Sequence, residues 1–435
     1  MAGHFMETIG TPAKAAARRL ARALTAGSGA EGEGLLAAMV ALSVLVAPLV
    51  FLHSFCDTAI SLVAVLFLYR SYRRDDFAWA REPWFIAALA FSAFETLRGI
   101  FTTYPHIAVV SGLVWMRFPV FVAAQCALFR TVPRLKRRVF WAYALTVAFA
   151  VADALYQRTS GHDIFGWTPA MDGTRLTDPD GKLDVGMILT LIGMPIVVWA
   201  LAAATDRGRA IWLRLAAVLA LLALTAAILF SGERMAFLLF IAAGAVALKV
   251  IGRLRWRAIG IIAGAGAIAA SLVVAASPPL RLRATEALWQ FSHPHRSAYL
   301  EVMHGGLRVF AANPVVGIGF RQYRYDCARY QPPGVPHEVC ADLHPHQIWI
   351  ENLAEGGVVG TGLILAVLIL MLAPAVRDWR RWRDEPLFGG AAMAVLLRLW
   401  PLATTSSFYV SQREIVFWPL MAFAVAMASW RPDEV

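Results

Sequence analysis

Long apolar runs separated by short polar segments dominate the pattern of this sequence. Most of the runs are about 20 residues long, the length that a helix needs to cross a hydrocarbon core of about 30 Å. Because a helix satisfies its backbone hydrogen bonds internally, we expect helices rather than strands. The predicted spans are residues 35–52, 55–69, 83–101, 107–129, 139–155, 184–204, 211–230, 234–251, 257–276, 347–373, 388–405 and 412–430. The pattern therefore predicts an all-α polytopic membrane protein with about twelve transmembrane helices.

The polar segments between the spans divide into two sets by charge. The Arg- and Lys-rich clusters on one side are the tail 1–34 and the segments 70–74, 134–138, 206–209, 249–257 and 377–383. The segments on the other side are 104–106, 156–183, 231–234, 277–346 and 406–412. Since positively charged loops mark the cytoplasmic side, we expect both termini, 1–34 and 431–435, in the cytoplasm. The long loop 277–346, which joins the first nine spans (35–276) to the last three (347–430), is expected to face outward.

Composition agrees with a membrane protein and excludes other classes. Hydrophobic residues make up 59% of the chain and charged residues 16%, against about 25% charged residues in soluble domains. The net charge of +11 would suit a nucleic-acid partner, but the basic residues are spread over short clusters and form no basic domain. The chain has no Walker motif and no dinucleotide fingerprint. We therefore expect neither nucleic-acid binding nor a cofactor.

The outward loop carries an unusual excess of arginine. Its seven arginines are Arg281, Arg283, Arg296, Arg308, Arg321, Arg324 and Arg329, against five carboxylates. An anionic ligand such as a phosphate or diphosphate would explain this excess, because the guanidinium fork engages phosphate oxygens in pairs. The alternative is a solvated loop with a chance surplus of arginine.

Two cysteines of the same loop, Cys327 and Cys340, stand thirteen positions apart. Outside the cytoplasm oxidation is allowed, and a disulfide closing a loop of this length would contribute about 3 kcal/mol of stability. We predict this disulfide, with two separate thiols as the alternative. Cys56 and Cys126 fall in or near spans and are expected to be packing residues.

His344 and His346 stand where the outward loop enters the tenth span. An imidazole with an unperturbed pKa near 6.5 can accept a proton at neutral pH, so His346 is a candidate general base acting on a lipid-anchored substrate. A histidine pair can also bind zinc. However, the intervening proline places the two rings on an extended segment, and no acidic or Cys ligand stands at the usual metal spacing. We therefore predict no metal site.

Three further arginines interrupt apolar sequence. Arg234 opens the eighth span at the outer surface, where an arginine is costly unless it pairs or binds a ligand. It is a candidate site residue, with an ion pair to Glu233 as the alternative. Arg117 and Arg398 lie within apolar runs, where each is either a buried structural pair or a site residue.

The histidine segment resembles the signature of bacterial O-antigen ligases. His346-Gln347, nine further residues and then Gly357-Val-Val-Gly360 match that signature. Asn313-Pro-Val-Val-Gly-Ile-Gly319 is similar to the Pro-x-x-Gly-x-Gly turn of the same superfamily. Ser231-Gly-Glu-Arg234-Met-Ala-Phe resembles its Ser-x-Arg-x-Ala segment, with one extra residue. The resemblance covers about residues 225–375, and the first five spans match in topology alone.

The resemblance implies a GT-C-like fold in the bacterial inner membrane. The implied reaction transfers O-antigen from undecaprenyl diphosphate to lipid A–core on the periplasmic face, without ATP or a divalent metal. The implied catalytic residues are His346, Arg234 and Arg296. The arginines would stabilise the diphosphate leaving group, and direct attack on the anomeric carbon would invert its configuration.

Other loop and span residues are expected, at lower rank, to contact the diphosphate or the sugar: Arg321, His344, Gln347 and Arg117. An O-antigen polymerase or a protein O-oligosaccharyltransferase of the same superfamily is the nearest alternative function, differing in acceptor. A transporter of lipid-linked oligosaccharide is the more distant alternative. It would explain the spans and the intramembrane arginines but not a basic outward loop that ends in the histidine motif.

Overall fold

In the residues that the computed structural model describes, the regular secondary structure is helical. The described residues are 28–171, 173–293, 297–333, 337–340, 344–404, 406–409 and 411–429. The helices are α1 (Ser28–Leu45), α2 (His53–Arg74), α3 (Pro83–Gly99), α4 (Pro105–Trp115), α5 (Arg117–Thr131), α6 (Arg134–Ser160), α7 (Val185–Ile192), α8 (Met194–Thr205), α9 (Ile211–Phe230), α10 (Arg234–Val250), α11 (Trp256–Ala276), α12 (Pro278–Ser292), α13 (Ala298–Ala312), α14 (Tyr323–Asp326), α15 (Ile348–Arg377), α16 (Pro386–Arg398) and α17 (Ser411–Ser429). Short 3-10 turns join several of them, and one isolated bridge pairs Ala170 with Arg175.

Each predicted span overlaps at least one helix. In the described part of the chain, however, fewer than twelve helices have the length and composition to cross a membrane. Within the described residues six qualify, namely α2, the α4–α5 pair, α6, α9, α11 and α15. The α7–α8 pair, bent by 51°, makes a seventh if it is one span. Helices α3 and α10 have 17 residues and α16 has 13, so they fall short. The protein is an integral membrane protein, and its total of twelve spans stays a prediction.

Helix α17 lies in the middle of the helical bundle. Its Trp418 ring contacts Trp115 at 5.4 Å and Phe118 at 5.6 Å between ring centroids, while Phe423 contacts Phe129 at 5.7 Å. These three partners of α17 and the helix's own aromatic rings are buried. A helix that is apolar on all sides belongs in a core, and the positions that surround α17 are taken by α2, α5, α15 and α16.

The segment 314–319 docks onto a break in α15. Gly357 interrupts this helix with φ 61° and ψ −163°, so its neighbours have free backbone groups. Four backbone hydrogen bonds join the two pieces: Ile318 N to Ala354 O (3.0 Å), Gly319 N to Glu355 O (2.8 Å), Val358 N to Pro314 O (2.9 Å) and Val359 N to Val315 O (3.1 Å). The two glycine motifs of the sequence therefore form one glycine joint, in which residues 314–319 of the loop 277–346 are bonded to residues 354–359 of α15.

The joint requires glycine because its backbones nearly touch. Gly317 has φ 62°, and a Cβ there would lie 2.1 Å from the carbonyl oxygen of Glu355. A Cβ on Gly357 would lie 2.4 Å from the carbonyl oxygen of Val315. Gly360 is needed for another reason, since a Cβ there would meet Oε1 of Glu95 on α3 at 2.7 Å.

The long loop 277–346 contains two longer helices, α12 and α13, and a disulfide. Cys327 is joined to Cys340 with 5.7 Å between their Cα atoms. The short elements that carry these cysteines pack against α13. The disulfide holds these short elements together beside α13, and the glycine joint fastens the segment after α13 to the N-terminal half of α15, which begins two residues after His346.

Candidate functional site

A pocket of about 620 Å³ opens beside the N-terminal ends of α7 and α10. Helices α12 and α13 and the residues that precede α15 form its other walls. Arginine and histidine side chains line it together with apolar ones. Its polar lining consists of Arg175, Asp184, Glu233, Arg234, Arg283, Gln290, Ser297, Tyr299, His344, His346, Thr404 and Ser406. Two residues that the sequence predicted as catalytic, Arg234 and His346, thus lie in one cavity.

His346 has an unusual backbone. Its φ of 53° lies in the left-handed region, which is uncommon for residues other than glycine and stores strain at functional sites. The half-buried imidazole meets the Tyr299 ring edge to face at 5.3 Å between centroids and the His344 ring at 4.5 Å. The turn therefore aims His346 away from the axis of α15 and into the pocket, with His344 beside it.

Gln347, next in the chain, has its amide engaged with backbone. Its Oε1 accepts from Ile350 N at 2.7 Å as the N-cap of α15, and its Nε2 donates to the carbonyl oxygen of Pro401 at 2.8 Å. The side chain is buried and is absent from the described lining of the pocket. These contacts make Gln347 a residue that starts the helix and thereby places His346.

Arg234 is the first residue of α10 and reaches across to α12. Its Nη1 donates to Oε1 of Gln290 at 3.0 Å, and its Nη2 donates to Oε2 of Glu286 at 2.7 Å. The adjacent Glu233 points elsewhere: its carboxylate accepts from Gly186 N at 2.7 Å and Met187 N at 3.2 Å at the start of α7. Arg234 therefore pairs with Glu286 rather than with Glu233.

Arg283 is a pocket residue that the sequence did not single out. Its Nη1 donates to the same Oε2 of Glu286 at 3.0 Å, and the side chain is only 16% exposed. A signal was present, since Arg283 and Glu286 stand three positions apart, where side chains of one helix meet. The loop 277–346 has seven arginines, and the sequence does not show that Arg283 is the one beside Arg234. Only the fold shows this.

Arg175 lies in the loop between α6 and α7, residues 161–184. Its guanidinium lies 3.8 Å from the Glu233 carboxylate and donates to the carbonyl oxygen of Leu183. Buried Asp178 fixes this loop by accepting from Asp180 N at 3.0 Å and Lys182 N at 2.8 Å. Burial raises the pKa of Asp178 to about 6. Three guanidinium groups thus face the pocket beside the Glu286 and Glu233 carboxylates.

The remaining predicted residues have other positions. Arg296 lies outside the described residues. Arg321 has φ 59° and its backbone N donates to Oε2 of Glu355 at 2.7 Å. Arg117 donates through Nη2 to Oδ1 of Asp57 at 2.9 Å. Neither Arg321 nor Arg117 belongs to the described lining of the pocket, and for Arg117 the ion-pair alternative fits.

Buried Arg398 supports one edge of the pocket. Its Nη2 donates to the carbonyl oxygens of Ser406 at 2.8 Å and Ser407 at 3.1 Å. Glu351 on α15 accepts from Phe408 N at 2.7 Å and from the Ser407 hydroxyl. These contacts hold the segment that brings Ser406 to the pocket.

In the described residues no group of three His, Cys, Asp or Glu side chains is arranged to hold a metal ion.

Residues 215–365 match the family model described as O-antigen ligase. That segment of the chain is similar to the O-antigen ligase family. The matched segment contains Arg234, Arg283, His344 and His346 and excludes Arg175. The matched segment therefore supplies most of the pocket lining, and residues before it (Arg175, Asp184) and after it (Thr404, Ser406) complete the lining.

No curated protein matches the chain. Among solved structures, a chain from "Structural coordination of polymerization and crosslinking by a peptidoglycan synthase complex" is 17% identical with a TM-score of 0.44, covering 80% of this chain and 96% of that one. A likeness at that level carries no argument about fold or function. The GT-C-like architecture stays a prediction from the sequence resemblance.

Proposed function

We propose that this protein is an O-antigen ligase: a glycosyltransferase that moves O-antigen from undecaprenyl diphosphate to lipid A–core at the periplasmic face of the inner membrane. The observation that carries the proposal is the meeting of His346, Arg234 and Arg283 in one pocket. All three belong to the segment that matches the O-antigen ligase family. A base opposite a set of anion-binding groups is the arrangement that transfer from a lipid diphosphate needs.

In the proposed reaction His346 takes the proton from an acceptor hydroxyl of lipid A–core. The hydroxyl oxygen attacks the anomeric carbon of the donor glycan directly, so one C–O bond forms and the bond from that carbon to the phosphate oxygen breaks. The configuration inverts, and undecaprenyl diphosphate leaves with the bonding electron pair. The chain needs no nucleophilic Ser or Cys for this single displacement.

The guanidinium groups of Arg234 and Arg283 bind the diphosphate, where negative charge grows as the bond breaks. Their fixed donors stabilise that charge more in the transition state than in the ground state, which lowers the barrier. Arg296 is proposed to join them on the strength of the sequence resemblance. The His344 ring meets His346 edge to face and is proposed to support it, while the Gln347 amide and the Arg117 guanidinium are engaged within the protein.

The test is ligation with purified components. The full-length protein is incubated with undecaprenyl-diphosphate-linked glycan and lipid A–core, without ATP and with a chelator, and ligated product is measured. We expect product from the natural protein and a loss of about 10²- to 10⁴-fold in His346→Ala. His304→Ala, an exposed substitution on α13, is the matched control and should keep full activity. Normal ligation by His346→Ala would remove His346 from the role of base.

The family match also fits an O-antigen polymerase, since the superfamily is defined by the shared domain. The acceptor separates the two functions. If the same assay yields a longer lipid-linked glycan and no modified lipid A–core, the protein is a polymerase. Protein O-glycosylation would identify an O-oligosaccharyltransferase, and movement of the lipid without a new glycosidic bond would identify a transporter.

A further inference from the structure

A second cavity, of about 540 Å³, lies far from the proposed active site. The C-terminal ends of α2 and α15 form its walls together with α5, the start of α3 and the turn between α2 and α3. It shares no lining residue with the pocket around His346. Nothing in the proposed transfer reaction uses it.

The two cavities lie at opposite ends of the same helix. His346 precedes the first residue of α15, whereas Pro374, near the end of that helix, lines the second cavity. Twenty-eight positions separate them, so a rise of about 1.5 Å per residue gives an upper limit of about 42 Å for a helix that is broken at Gly357. This limit is comparable with the thickness of a bilayer with its headgroups, about 40–45 Å. The second cavity is therefore at headgroup level on the membrane face opposite the proposed active site.

Three arginines, Arg70, Arg74 and Arg130, line the second cavity. Nε of Arg70 is buried without a hydrogen-bond partner, and in the described residues none of the three forms an ion pair. Two carboxylates, Asp76 and Glu82, also line the cavity, and within the described residues neither forms an ion pair with an arginine. The cavity therefore has a net positive charge, and its guanidinium groups have no ion-pair partner in the described part of the chain.

The deeper wall of the cavity is apolar and aromatic. Phe67, Met371 and Val425 contribute hydrocarbon from three helices. Trp79 is held rigidly: its ring packs at 5.2 Å from Phe67, and its Nε1 donates to Oγ of Ser71 at 3.0 Å. Tryptophan at this depth is typical of the membrane interface. A positive rim over an apolar wall fits a molecule with a charged head and a hydrocarbon tail.

We propose that this cavity binds an anionic glycerophospholipid of the membrane leaflet opposite the active site. The arginine side chains hold the phosphodiester, and an acyl chain lies along Phe67, Met371 and Val425. Basic pockets between transmembrane helices on the cytoplasmic side bind anionic lipid headgroups in this way. Inorganic phosphate shares the headgroup chemistry but leaves the apolar wall empty, so the lipid is the ligand that uses the whole cavity.

The test is a titration of the full-length protein in neutral detergent, with the midpoint of thermal unfolding as the readout. The probes are dioctanoyl phosphatidylglycerol, dioctanoyl phosphatidylcholine and inorganic phosphate. We expect a saturable rise of the midpoint with phosphatidylglycerol alone. In the double variant Arg70→Gln/Arg74→Gln the apparent dissociation constant should rise about thirtyfold, because each arginine contributes about 1 kcal/mol of binding free energy.

The control is the double variant Arg73→Gln/Arg138→Gln, which removes the same charge from exposed positions outside the cavity. It should bind phosphatidylglycerol normally. Equal weakening in both double variants, no saturable effect in the natural protein, or an equal effect of inorganic phosphate would overturn the proposal. If Arg70→Gln/Arg74→Gln does not fold, Arg130→Gln on α5 tests the same site independently, with an expected weakening of about fivefold. Unaltered phosphatidylglycerol binding by that variant would likewise count against the proposal.

Discussion

Arg234 and Glu286, 52 positions apart in the chain, are joined by a contact of 2.7 Å between Nη2 and Oε2. The same Oε2 lies 3.0 Å from Nη1 of Arg283. A carboxylate oxygen between two guanidinium groups takes the place that an oxygen of a bound diphosphate would take. Glu286 thus places a negative charge where the proposed reaction would place the diphosphate.

Replacing Glu286 should tighten donor binding. In Glu286→Gln the amide no longer competes with the diphosphate as an anion, so the KM for the lipid-linked donor should fall about fivefold, in keeping with partly exposed ion pairs. Steady-state kinetics with varied donor measure this. Glu301→Gln, on exposed α13 surface, is the control and should leave KM unchanged. A higher KM in Glu286→Gln would mean that the carboxylate orients the arginines rather than competing with the substrate.

Removing Arg283 should impair the chemical step. The loss of one preorganised donor to the leaving diphosphate should lower kcat/KM about 10²-fold in Arg283→Ala. Arg283→Lys should recover part of the loss, because lysine restores the charge without the paired geometry of the guanidinium. Arg281→Ala, at an exposed position of α12, should keep the natural rate. Equal rates for Arg281→Ala and Arg283→Ala would exclude Arg283 from the diphosphate site.

Alanine at either glycine of the joint should destabilise the protein. Gly317→Ala and Gly357→Ala each place a Cβ within 2.4 Å of a carbonyl oxygen at positive φ, so each should cost at least about 1–3 kcal/mol. Gly362→Ala is the matched control on the same helix. It has no atom within 4 Å of the added Cβ, and alanine there should be neutral or stabilising. Thermal unfolding of the three purified variants gives the comparison, and similar midpoints for all three would contradict the crowded joint.

Gln347 offers a test of positioning against substrate binding. Gln347→Ala removes the N-cap of α15, which costs about 1 kcal/mol, and leaves His346 less well placed. We expect kcat to fall while the donor KM stays the same, and Gln347→Asn to restore most of kcat through its shorter amide. A rise in donor KM with unchanged kcat would instead place Gln347 against the substrate, as first expected from the sequence.

The sequence alone indicated Arg234 and His346, because both stand where apolar runs meet polar segments. The bend between α7 and α8 also had a local signal, since Gly193 and Pro195 flank the break and both disfavour a continuous helix. The break between α4 and α5, at Met116, has the weaker signal of Pro119 in the first turn of α5, which cannot donate to the carbonyl of Trp115.

Two other features depend on contacts between distant parts of the chain. The predicted span 388–405 ends at Arg398 because the chain turns there and the guanidinium donates to carbonyl oxygens at Ser406 and Ser407. Arg175 reaches the pocket from a loop that precedes the family domain, and no spacing rule connects it with Glu233. The pocket is thus predictable as a region from the sequence, but its set of arginines is not.

The glycine joint also determines which walls of the pocket can separate. Because residues 314–319 are bonded to α15 and continue directly from α13, Tyr299 on α13 and His346 before α15 belong to one rigid unit. Arg283 on α12 and Arg234 on α10 belong to the opposite wall. In the proposed reaction, a donor with a long glycan would enter and leave by a gap between these two walls. We therefore expect the base and the diphosphate clamp to approach each other only when the gap closes around a substrate.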